Sequence, residues 1–125
     1  MAQIPIIQIG DTLIVTAQEA ISDTGALDLQ DQITTAIERT GARALILDIT
    51  VLDVVDSFLG RMLNDIAAMA RLMGAQTALV GIQPAVAITL IELGLELKGI
   101  QTALNVEQAL RMLHTRVAAS GFYGR

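Results

Sequence analysis

Residues 44–58 read Ala-Leu-Ile-Leu-Asp-Ile-Thr-Val-Leu-Asp-Val-Val-Asp-Ser-Phe, and the reading of this stretch decides the fold. Ala44 to Ile49 is almost wholly apolar, without the alternation of a strand that faces water on one side. Such a run predicts a strand covered on both faces, with helices above and below it. Asp56-Ser57 then stands where a helix needs an N-terminal cap. Beyond it Phe58, Met62, Ile66, Met69, Ala70 and Met73 keep one apolar stripe at helical spacing until Gly74 stops the helix.

Working outward, Gln76 to Val80 reads as the next buried strand. Pro84 suits the first position of a third helix, with Val86, Ala87, Leu90 and Ile91 turned inward and Gly94 ending it. Ile100 to Ala103 is a short edge strand. Asn105 caps a last helix, with Gln108 in the capping-box position and Val106, Ala109, Leu110 and Leu113 as its stripe. Upstream, Ile4 to Ile9 and Thr12 to Thr16 flank Gly10-Asp11, a pair suited to a tight turn, and predict an opening hairpin. Ser22, Asp23 and Thr24 offer caps for a helix whose Leu29, Ile33, Ala36 and Ile37 face inward, with Gly41 at its C-terminal end. The result is a single mixed α/β layer of about five mainly parallel strands and four helices.

The chain has 125 residues, 53% of them hydrophobic, with three aromatic residues and no cysteine. That is long enough for one core without disulfides. Thiol nucleophiles, cysteine zinc sites and redox pairs are excluded, and the composition fits a reducing cytoplasm. His114 is the single histidine, so a multi-histidine metal site is excluded as well. A net charge of −5 and a single lysine, Lys98, argue against a nucleic-acid partner. The apolar start, Met1 to Ile9, carries no basic residue and is broken by Pro5, so no secretory signal is expected. Leu72 to Ile91 holds no formal charge over a length that spans a bilayer. Gly81-Ile82-Gln83-Pro84 interrupts it, which predicts strand, turn and helix and no membrane span.

Few residues could carry chemistry. Neither a Walker pattern nor GxGxxG after a strand occurs, so no nucleotide cradle or cofactor is expected. Asp48, Asp53 and Asp56 lie close together in sequence, but without histidines they read as loop and capping residues and not as metal ligands. His114 falls near the end of the last helix, where a cation suits the dipole. Serine is scarce, being found at Ser22, Ser57 and Ser120 alone. Ser57 is either a plain helix cap or a phosphate acceptor. A phosphate there would meet free helix amides and Arg61 one turn on, and would add roughly −1.5 to −2 of charge beside Asp53 and Asp56.

The stretch Asp48 to Phe58 resembles the signature of STAS domains, the fold of bacterial anti-sigma-factor antagonists, in which an aspartate-serine or aspartate-threonine pair opens the helix after the third strand. The element order fits that fold over roughly residues 3–116. This makes 1–117 the domain and 118–125 a flexible tail. Leu72-Met73-Gly74-Ala75, with Gly81-Ile82-Gln83-Pro84 running on to Gly94, is similar to the stressosome branch of the family, and within it to single-domain scaffolds of the RsbS type. The resemblance implies a protein that is not an enzyme. Ser57 maps onto the serine phosphorylated in that family, and Asp53, Asp56, Phe58 and Arg61 are candidate kinase contacts. The implied partners are a serine/threonine kinase of the RsbT type, a sensor paralogue of the RsbR type, a phosphatase that resets Ser57, and further copies in a large assembly. A small soluble anti-sigma-factor antagonist that binds its kinase directly is the alternative.

Overall fold

The computed structural model describes residues 4–18, 21–94 and 99–113. Strands β1 (Ile6–Ile9) and β2 (Thr12–Thr16) form the opening hairpin. Gly10 takes φ 60° between them, as the first central position of a type II′ turn requires. The strand begins at Ile6, two residues later than the sequence suggests, because Pro5 has no N–H to give a ladder. There follow α1 (Asp23–Thr40), β3 (Ala44–Asp48), α2 (Ser57–Leu72), β4 (Gln76–Val80), α3 (Pro84–Glu92) and β5 (Ile100–Ala103). A fourth helix, α4, covers 106–113 among the described residues.

The five strands lie in the order β1-β2-β3-β4-β5, antiparallel at the first pair and parallel thereafter. Each parallel crossover steps one strand in the same direction, and crossovers share one hand, so the intervening helices land on one face. The burial follows that logic. Leu13, Val15, Leu45, Leu47 and Leu79 pack with Leu29, Ile33 and Ile37 of α1, Leu63 and Ile66 of α2, and Val86 and Leu90 of α3. The alternate residues Ile14, Ala44, Ile46, Ala78 and Val80 pack on the other face against Ala109 and Leu113 of α4. Both faces of β3 are therefore covered, as its unbroken apolar run requires.

Helix ends follow their sequence signals. Ser22 accepts from the Gly25 N–H at 3.0 Å, and Gly41 closes α1 in the left-handed region at φ 68°. The Asn105 side chain accepts from the Gln108 N–H at 2.8 Å, and Gln108 returns a bond, accepting from the Leu104 N–H at 2.8 Å. One inward assignment is corrected. Ile91 is 77% exposed, because it lies about 100° round α3 from Leu90, off the Val86–Leu90 line that meets the core. The uncharged run 72–91 divides into the end of α2, β4, a turn and α3; no described helix is long and apolar enough to cross a membrane.

Candidate functional site

The loop from β3 to α2 leaves the carboxyl end of a central strand, where the chain must turn from sheet to helix. Asp48, the last residue of β3, accepts from the Thr50 N–H at 3.0 Å and from the Thr50 hydroxyl at 2.5 Å. Leu52 and Val55 are buried and anchor the loop to the core below α2. Their neighbours face outward: Val51, just before Leu52, is about half exposed, and Val54 is 76% exposed, with Asp53 beside it.

The cap of α2 belongs to Asp56 alone. Its Oδ1 accepts from the Leu59 N–H at 2.8 Å, and its carbonyl accepts from the Gly60 N–H at 2.9 Å. Ser57 is the first residue inside the helix and is exposed. The sequence left Ser57 open as a plain cap; the structure corrects that, since its hydroxyl is not spent on the helix. The N–H groups of Ser57 and Phe58 lie in the first turn, where no intrahelical carbonyl reaches them. An anion carried on Ser57 would thus sit at the positive end of α2, with amides close by.

The other predicted residues separate into two groups. Asp53 and Arg61 are exposed near Ser57, and Arg61 lies four positions on, one helical turn away. Phe58 is half-buried and packs against the main core, so its side chain chiefly anchors α2. Asp48, Asp53 and Asp56 do not converge: the first is tied to Thr50 and the third to Leu59. Among the described residues no three metal-binding side chains are grouped to hold an ion. His114, the domain boundary at 117 and the tail 118–125 lie outside the described residues.

A model of the STAS domain matches residues 3–109 of the sequence. The chain belongs to the STAS domain family. RsbS of Moorella thermoacetica, solved as a serine-to-glutamate variant, shares 35% identity with this STAS domain. The match covers 94% of this chain and 99% of that one, with a TM-score of 0.84. A chain in the architecture of the stressosome, a signal integration and transduction hub, is 38% identical over 89% of this chain and 96% of its own, with a TM-score of 0.77. The RsbT co-antagonist protein RsbRA of Bacillus subtilis (strain 168) is 28% identical over 113 residues. That alignment takes in 82% of this chain but 41% of RsbRA, so the chain spans less than half of this relative. The anti-sigma-factor antagonist SpoIIAA in its unphosphorylated form, at 16% identity and a TM-score of 0.71, shares the fold.

Sequence reasoning missed how the STAS loop is held from the side. Gln83, just before α3, donates from Nε2 to the Thr50 carbonyl at 2.6 Å. Gly81 adopts φ 75°, and a Cβ there would overlap the Thr50 hydroxyl and lie 3.0 Å from its Cα. The β3–α2 and β4–α3 loops are therefore packed as one surface. A glycine directly after a buried strand is the one sequence signal that could have suggested this close approach.

Proposed function

We propose that this STAS domain is a non-catalytic scaffold of the stressosome type, which holds a serine/threonine kinase and releases it when that kinase phosphorylates Ser57. The observation that carries the reading is the position of Ser57: exposed, first in α2, and relieved of capping by Asp56. Phosphorylation there costs the helix nothing structurally, because the cap bond remains. It adds roughly −1.5 to −2 of charge to a surface that already bears Asp53 and Asp56, and a bound partner must then face that charge. The likeness to RsbS and to a stressosome chain, each near full length and above 30% identity, supports this role over other uses of the fold.

In this reading the kinase is of the RsbT type, and Asp53, Asp56 and Arg61 form the polar part of its contact. Phe58 contributes by holding α2 in place. A sensor paralogue of the RsbR type joins the assembly, a phosphatase restores Ser57, and the cycle runs in the cytoplasm. Mass spectrometry after incubation with the cognate kinase and ATP tests the acceptor: one phosphate on Ser57 is expected, and none at that residue rejects the switch. Sedimentation with the sensor paralogue tests the scaffold: a megadalton particle is expected, whereas a persistently small species favours a directly binding antagonist.

A further inference from the structure

The loop that leads into Ser57 divides its side chains between core and surface. Leu52 and Val55 are buried, while Val51, Asp53, Val54, Asp56 and Ser57 are exposed. Asp56 caps α2 through its bond to the Leu59 N–H. Val54 has no comparable task inside the domain: it joins neither core cluster and is 76% exposed.

The backbone that carries Val54 is held in place before any partner arrives. The Thr50 N–H and hydroxyl bond the Asp48 carboxylate, the Thr50 carbonyl accepts from Gln83, and the Leu52 N–H reaches the Ile49 carbonyl at 3.0 Å. Leu52 and Val55 then pin the chain on either side of Asp53 and Val54. Valine adds a β-branched side chain with restricted χ1. A partner that covers Val54 therefore has little to order, and little of the gain from burying its apolar area is lost.

A kinase that transfers phosphate to Ser57 must bring its active site to the Ser57 hydroxyl. A stable protein contact takes about 800 Å² from each partner, a patch of about 16 Å radius if it is round. Three residues of extended chain reach about 11 Å at most, so Val54 falls within such a patch centred on Ser57. Contacts of this kind are apolar at the centre and polar at the rim. Asp53, Asp56 and Arg61 supply charge here, and Val51 and Val54 supply the exposed apolar area of the loop, Val54 being the more exposed and the nearer to Ser57 in sequence. Leu72, 88% exposed at the far end of α2, lies about 22 Å along the helix from Ser57 and outside the patch.

We infer that Val54 is the side chain by which the kinase holds this domain, an aliphatic contact separate from the serine that releases it. The inference rests on the scaffold reading for the identity of its partner, and deepens that reading by dividing holding from release. The Ser57 hydroxyl contributes little to holding, because its hydrogen bonds to a partner replace those to water. A phosphate on Ser57 sets charge beside the apolar contact that the kinase must keep dry, and so opposes it.

The test is retention of the serine/threonine kinase on the full chain, read as a dissociation constant without ATP, with the KM and kcat of Ser57 phosphorylation read once ATP is added. Val54→Ser should raise the dissociation constant at least about tenfold and the KM with it, leaving kcat within about twofold. Val54→Ile should bind as the parent does. Leu72→Ser removes a still more exposed apolar side chain and should change neither constant. All three positions are exposed, and an unchanged urea midpoint shows an intact fold. Ser57→Ala should hold the kinase and lose it when Val54→Ser is added. Parental binding by Val54→Ser overturns the inference, as does an equal loss in Leu72→Ser or a fall in kcat at constant KM. Retention that depends on Val54 with no phosphate on Ser57 upholds the inference and removes the switch. Phosphate on Ser57 with retention indifferent to Val54 does the reverse.

Discussion

Asp56 and Ser57 are neighbours with separate tasks, and substitution should show the separation. Asp56→Ala removes the side-chain bond to the Leu59 N–H and should lower stability by about 1 kcal/mol, read as a shift in the urea midpoint. Ser57→Ala removes an exposed hydroxyl that caps nothing, so the midpoint should move by less than about 0.5 kcal/mol. Equal losses for the two would mean that Ser57 shares the cap after all. Gly81 makes a second residue-scale prediction. Its positive φ and its contact with Thr50 leave no room for a side chain, so Gly81→Ala should destabilise by about 1–3 kcal/mol and disturb the loop that presents Ser57. Thermal unfolding measures the first effect and the rate of Ser57 phosphorylation the second; a variant as stable as the parent would contradict the packing described.

At the scale of elements, the sequence was readable wherever one local rule governed. Gln76–Val80 shows as a buried strand because its apolar end, Ala78-Leu79-Val80, runs into the turn at Gly81. Gly41, Pro84 and Asn105 mark helix ends because φ, a missing N–H and a side-chain acceptor each act locally. The reading failed where tertiary geometry chose between equal candidates. Val51, Leu52, Val54 and Val55 look alike in sequence, yet Leu52 and Val55 are buried while Val54 is 76% exposed. Ile91 fits the edge of a helical stripe and still faces out, because the sheet meets α3 along the Val86–Leu90 line and not a quarter turn round from it. That Ser57 opens the helix after a buried strand was legible from Asp56-Ser57 standing at a cap position, whereas the division of cap and first helical residue between the two was not. The bond from Gln83 to the Thr50 carbonyl was not, since it joins residues far apart in the chain and no spacing rule covers it.

At the scale of the molecule, α1, α2 and α3 cover one face of the sheet and α4 the other, so the central strands hold the core. Leu45 lies fully buried beneath the three helices, and Leu45→Ala should cost about 2–5 kcal/mol, enough to threaten the fold of a domain this size. The same arrangement puts Ser57 beyond the carboxyl end of β3, a central strand of the sheet.

The most direct measurement is retention of the cognate kinase on the immobilised chain, with and without ATP, for the parent and for Ser57→Ala. The account predicts that ATP releases the kinase from the parent as phosphate appears on Ser57, and that Ser57→Ala keeps it bound under the same conditions. Release from Ser57→Ala, or retention by a fully phosphorylated parent, would contradict the claim that this serine is the switch.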